Sequence, residues 1–234
     1  MNEMFRPRPG TLAAAQSSSA VLVQFMNGVY AWMCAGLCVT GIAALLMAQT
    51  GVHLSGGVMI VLFLAELGLV VAISGMVDRL SASAATGLFM LYAALNGITL
   101  SVIFLMYSSS SIGGAFLITA GMFGATSFYG MVTKRDLSGL GGYLFMGLVG
   151  IIIASLVNMF MQSSMLNWLI SYVGVAIFVG LTAYDTQRLR EMAYATAGDS
   201  KLAARLAVTG SLVLYLDFIN LLLFIVRIMG DRRR

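Results

Sequence analysis

Three long stretches of this chain carry no charged residue: Pro9 to Ala65, Leu80 to Thr133 and Leu137 to Tyr184. Each holds one or two runs of about 20 apolar residues, the length of helix that crosses a hydrocarbon core about 30 Å thick. Such runs exclude a transmembrane β-barrel, whose strands of about ten residues alternate polar and apolar side chains. Over the whole chain 9% of residues are charged, against about 25% in an ordinary soluble domain. The fold class expected is therefore all-α, a polytopic membrane bundle.

Hydropathy windows place seven spans near 21–47, 57–77, 83–106, 112–133, 142–162, 166–188 and 207–229. Short loops such as GVHLSGG, YSSSSIGG and DLSGLGG separate them, so residues 21–229 form a single membrane domain. Residues 1–20 hold Pro7, Pro9, Gly10 and a serine run without the apolar core of a cleaved signal, and are expected to be a flexible tail. Residues 230–234 form a short basic tail.

Lys and Arg set the orientation. The N-terminal tail carries Arg6 and Arg8, the second loop Arg79, the fourth Lys134 and Arg135, and the sixth region Arg188, Arg190, Lys201 and Arg205. Loops one, three and five carry none. The positive-inside rule then puts the N-terminus in the cytoplasm. Arg227 and Arg232–Arg234 run against this count if segment 207–229 crosses fully. Two solutions are open, a re-entrant seventh segment or a complete crossing with the tail outside. The absence of a central Gly or Pro favours the crossing.

Cys34 and Cys38 lie four apart on one face of the first span, where an intact helical turn does not suit a disulfide. They are expected to be small packing residues rather than metal ligands. Ala120 with Gly124, and Gly121 with Ala125, form overlapping small-xxx-small pairs in the fourth span. These are expected to serve helix contacts within the bundle, with a dimer interface as the alternative.

Within the spans, three acids stand out: Glu66, Asp185 and Asp217. A charged side chain at the bilayer centre is unfavourable by about 2.5–3.5 kcal/mol on insertion scales, so such residues face a protein interior or a water-filled path. Asp217 lies ten residues into its predicted span, about 15 Å deep, and Asn220 shares its face one turn on. Asp185 has Arg188 one turn on, and reads equally as a headgroup-level carboxylate paired with that arginine or as a functional acid. Glu66 reads either as a hydrogen-bonded interior residue or as a step along a cation path. The two aspartates sit at different depths, so they meet only if the last helix is displaced towards the bundle centre. Two carboxylates at hydrogen-bond distance in a low dielectric would share a proton and titrate as a unit. Arg79 closes span two, either reaching an acid of the bundle or simply obeying the positive-inside rule.

No catalytic arrangement is visible. The single histidine, His53, falls in a loop, and the zinc-protease, Walker and dinucleotide fingerprints are absent. An intramembrane aspartyl protease would carry GxGD beside one aspartate, whereas the neighbours here are LTAYDTQ and LYLDFIN. No enzyme activity, resident cofactor or nucleic-acid partner is expected, and the chain is read as a monomer in the bilayer.

Four segments, NGITLSVIF at 96–104, TKRDLSGLGGYL at 133–144, AYDTQRLR at 183–190 and LYLDFINLLL at 214–223, carry a resemblance. With the seven-span pattern, the chain resembles the transmembrane BAX inhibitor motif proteins and looks like a bacterial member, which implies the inner membrane. The resemblance implies a seven-helix bundle with the last helix central. It also implies a pH-sensitive calcium leak in which Asp185 and Asp217 form the gating dyad and contact calcium in passing. Glu66 matches the family's acidic position in the second helix, and Asn220 is a second candidate on the cation path. Arg79 and Arg188 are the candidate partners of the dyad. The arginine that engages it in similar bacterial proteins falls on Val77, two residues before Arg79. A reading of another class is a non-transporting regulator that binds a membrane protease or other membrane protein through its tail.

Overall fold

The computed structural model describes residues 9–52, 54–76, 79–196 and 199–230, with side chains from Ser19 onwards. His53, Val77 and Asp78 lie outside the described residues, as do 1–8 and Arg232–Arg234. Among the described residues the chain forms seven helices and no strand: α1 (Pro9–Gln49), α2 (Gly56–Gly75), α3 (Ala82–Met106), α4 (Ser109–Val132), α5 (Ser138–Met161), α6 (Ser164–Ala195) and α7 (Ser200–Met229). All seven are long and apolar enough to cross a membrane.

The helix starts follow local chemistry. Ser55, Ser81, Ser108 and Ser163 stand just before α2, α3, α4 and α6, and each side-chain oxygen accepts from the backbone N–H three residues on. Asp199 does the same for α7. Each cap satisfies one of the donors a helix start leaves unpaired, which matters more at a membrane boundary than in water.

α7 occupies the middle. In its most apolar window 56% of residues are buried, against 6–33% in the other six helices. It packs against α1, α3, α4 and α6, while α2 leans on α3 and α5 on α6 at the periphery. The outward faces of α2 and α5 carry exposed Phe63, Leu64, Phe145 and Phe160, as lipid-facing helices should. Lipid tails are as apolar as leucine, so tight packing must hold the bundle together. Two glycines permit it. A Cβ at Gly97 of α3 would collide with the Thr40 carbonyl and Ala43 of α1, and one at Gly130 of α4 with the Ala183 carbonyl of α6.

Several expectations change. The helix runs back to Pro9, ahead of the apolar stretch Ser19–Gln49 that is long enough to cross, so residues 9–18 are helical and precede the span. Proline is tolerated at a helix start because its missing N–H would be unpaired there anyway. α7 is unbroken over 30 residues, and Gly230 ends against the Tyr107 ring at the end of α3. This agrees with the favoured reading, an unbroken seventh segment long and apolar enough to cross. Of the small residues paired in α4, Ala120 packs against the core, whereas a Cβ at Gly121 or Gly124 would meet nothing within 4 Å. The buried face of α4 is Ala115, Thr119, Phe123, Ser127 and Gly130, and Gly121, Gly124 and Ala125 are exposed away from it. Cys34 and Cys38 are free and exposed on α1, not packed.

Candidate functional site

Two groups of polar side chains stand out inside the bundle, on opposite sides of α7. The first gathers round Glu66, which is 6% exposed. Its Oε2 accepts from the Asn96 amide at 3.2 Å and its Oε1 from the Thr99 hydroxyl at 2.5 Å. The Tyr215 hydroxyl of α7 donates to Asn96 Oδ1 at 3.0 Å and pairs with Thr40 of α1 at 2.6 Å. The Thr40 hydroxyl also lies 2.9 Å from the Ala93 carbonyl of α3. Phe89 and Tyr92 pack their rings edge-on against Tyr215 at 5.5 and 5.7 Å. This network ties α1, α2, α3 and α7 together, and every carboxylate oxygen in it is satisfied.

Tyr215 and Asp217 are two residues apart, about 200° round the helix, so Asp217 faces away from that network. It is 4% exposed, and its Oδ2 is fully buried without a hydrogen-bond partner among the described residues. Buried polar atoms nearly always find partners, so an orphaned carboxylate oxygen at the centre of the bundle is unusual. Asp185 of α6, partly buried, lies near enough for its charge to act on Asp217. Contacts of Leu189 with the Gly210 position and of Phe224 with the Gly174 position fix the α6–α7 register. Asp185 then stands level with about residue 214, one helical turn or about 5 Å from the level of Asp217. The depth mismatch expected from hydropathy shrinks because α6 continues to Ala195 and α7 starts at Ser200. The two carboxylates are neighbours without a hydrogen bond between them.

Of the two candidate cations, Arg188 acts on Asp185 by its charge. Arg79 is exposed in the turn after α2, whose main contact is with α3, away from α6. Asn220 donates its amide to the Leu216 carbonyl of its own helix at 2.8 Å. Glu66 is held apart from the aspartates by the intervening α7.

Around Asp185 the neighbours on α6 are hydroxyls and an amide. Thr182 donates to the Phe178 carbonyl, and Thr186 pairs with Ser127 of α4 at 3.0 Å. Ser127 pairs with the Tyr30 hydroxyl of α1 at 2.5 Å. Gln187 clamps the α4–α5 loop, accepting from the Leu137 N–H at 2.7 Å and donating to the Arg135 carbonyl at 2.8 Å. Arg190 donates to the Met131 and Thr133 carbonyls at 2.8 and 3.0 Å, closing the end of α4. Segments 133–144 and 183–190 are thus two halves of one fastening beside Asp185. Sequence reading passed over Asn96, Thr99, Thr40, Ser127 and Thr186. A signal existed for two of them, since Asn96 and Thr99 are polar at i and i+3 of an otherwise apolar helix.

Comparison with known proteins agrees with this architecture. The sequence model of the family described as "Inhibitor of apoptosis-promoting Bax1" matches residues 22–234. The chain is 48% identical over 220 residues to Inner membrane protein YbhL of Escherichia coli strain K12, covering 92% of this chain and 94% of that one. It is 54% identical over 172 residues to a protein of Borreliella burgdorferi, 74% of each chain, and 43% identical over 210 residues to one of Deinococcus radiodurans, 89% and 90%.

Proposed function

Because the chain belongs to the BAX inhibitor family of membrane proteins, we propose that it is a pH-sensitive cation leak, favouring calcium, gated by Asp185 and Asp217. The observation that carries this reading is the buried, unpartnered Oδ2 of Asp217 with the Asp185 charge beside it. Gain or loss of one proton there changes the charge at the centre of the bundle, and no hydrogen bond on that oxygen buffers the change. Since α7 touches α1, α3, α4 and α6, a shift of this helix reaches most of the molecule. Arg188 competes with Asp217 for the influence of Asp185, a natural balance for a two-state contact.

Calcium as the permeant ion fits a weak passage better than a resident site. It takes about six to eight oxygen ligands, while no group of three or more His, Cys, Asp or Glu lies together among the described residues. Two carboxylates, nearby hydroxyls and water would hold it briefly. The E. coli relative is an inner membrane protein, and the same location, with the N-terminus cytoplasmic as the basic loops require, is proposed for this chain.

Purified chain in liposomes loaded with a calcium dye provides the test. Wild type should pass calcium at a rate that changes with pH, and Asp217→Asn, whose charge is fixed at zero, should give a rate that does not. If the mutant keeps the wild-type pH response, or neither exceeds empty vesicles, the gated leak is wrong and a regulator acting by contact takes its place.

A further inference from the structure

At the end of the bundle where α7 finishes, a cavity of about 430 Å³ opens between the α5–α6 turn and the last turn of α7. Its polar lining is Ser155, Asn158, Gln162, Ser163, Ser164, Asn167 and Arg227. Arg227 is held over the Phe224 ring, its guanidinium carbon 5.6 Å from the centroid, which fixes the cation without using its N–H donors. Asn158 spends its Oδ1 on the Ser163 N–H at 2.9 Å, so what it offers the cavity is an amide donor. Gln162 turns with φ 51°, a left-handed conformation that usually selects glycine, yet keeps a side chain that lines the cavity. The cavity is thus lined by amides and hydroxyls that can donate, together with one positive charge.

The described acids, Glu66, Asp136, Asp185, Glu191, Asp199 and Asp217, lie within the spans or at the other end; Asp231, four residues after Arg227, falls outside the described residues. Arg227 also breaks the rule that leaves loops one, three and five without basic residues. Beside the cavity, Phe160, Met161 and Met165 are 65–83% exposed on lipid-facing surface. Trp168 and Tyr172 stack one turn along α6 at 5.7 Å, as aromatic side chains do at the membrane interface. A polar pocket with one fixed cation and several amide and hydroxyl groups able to donate, with apolar side chains leading down from its rim, matches a molecule with a phosphate head and acyl tails.

We propose that this cavity is a site for the phosphate of an anionic phospholipid, with Arg227 as its charge anchor, Asn158, Gln162 and Asn167 as donors, and the acyl chains lying along α5 and α6. It is separate from the aspartate pair and stands or falls without the leak. Arg–phosphate contacts are among the stronger hydrogen-bonded pairs.

Native mass spectrometry of the full chain, titrated with phosphatidylglycerol and in parallel with diacylglycerol, which lacks the phosphate, tests it. Arg227→Gln should weaken the tightest phosphatidylglycerol binding about tenfold, Asn167→Ala should weaken it less, and Lys134→Gln at the opposite end should leave it unchanged. If Arg227→Gln proves unstable, Asn167→Ala against Lys134→Gln carries the comparison. Equal binding of phosphatidylglycerol by wild type and the cavity variants overturns the site, as does diacylglycerol binding as tightly as phosphatidylglycerol. Displacement of the lipid by an equal concentration of inorganic phosphate would make the site one for a free anion and overturn the lipid assignment.

Discussion

Glu66 and Asp217 are buried to nearly the same degree, 6% and 4% exposed, and both sit in the middle of an apolar helix. They differ in what surrounds the carboxylate. Both oxygens of Glu66 accept hydrogen bonds from α3, and the network extends through Tyr215 to α1. Asp217 has an oxygen with no partner and a second acid as its neighbour. The first arrangement is what a fold does with a buried acid it uses for support. The second is what remains when the environment is kept unsettled, as functional sites often are. Burial identifies an acid worth attention, and hydrogen-bond satisfaction separates the two kinds.

The contrast breaks most sharply under removal of each carboxylate. Glu66→Leu strands the Asn96 amide and deprives Thr99 of its closer partner, so thermal unfolding in detergent should show a loss of about 3 kcal/mol. Asp217→Leu removes an acid whose Oδ2 bonds nothing, and should leave stability level or raise it by about 1 kcal/mol. Opposite directions would establish the division; a comparable loss at both positions would show that Asp217 is as structural as Glu66.

A smaller effect is expected at the contact that carries Asp185. Gly130→Ala places a methyl group against the Ala183 carbonyl, two residues before Asp185. Overpacking of this kind costs about 1–3 kcal/mol, and the strain falls on the α4–α6 side alone. Proteolysis should accordingly speed up near the α4–α5 loop, which Gln187 and Arg190 fasten, while the Glu66 network stays protected. Uniform loss of protection would mean the two sides are not separable.

How much of this was legible beforehand depended on whether the property is local. The seven helices follow from charge-free apolar runs and from serines at their starts, both local, and their bounds matched within a few residues except at the ends of α1, α6 and α7. The ends of α6 and α7 differ because hydropathy stops at Arg188 and resumes at Ala207, whereas the helices run on with the charged Glu191, Lys201 and Arg205 aboard. The site was half legible. Asp217 stood out by depth, but no local feature says that Asn96 caps Glu66 from 30 residues away, or that Asn220 turns back on its own helix. Gly121 and Gly124 of α4 misled for a related reason: their spacing is a property of the helix, while the face they occupy relative to its neighbours belongs to the assembly.

A third acid separates satisfaction from burial. Asp136, in the α4–α5 loop, is fully exposed, yet accepts from both the hydroxyl and the backbone N–H of Ser138 at the start of α5. The Ser138 hydroxyl, and secondarily its N–H, hold the carboxyl below its ordinary value of 3.8. A group whose folded value is depressed stabilises the fold above the unfolded value, and that contribution disappears as pH falls through the folded one. Asp136→Ala should therefore lower the melting temperature slightly at neutral pH and not at all in acid well below 3.8. The shift should be smaller than either change above, because a solvent-exposed carboxylate is screened by water. A deficit that persists unchanged in acid would assign the effect to the geometry of the helix start rather than to the charge. If instead Asp136→Ala matched Glu66→Leu in size, satisfaction would matter as much at the surface as in the bundle, and the difference between Glu66 and Asp217 could no longer be credited to hydrogen bonds made in a low dielectric.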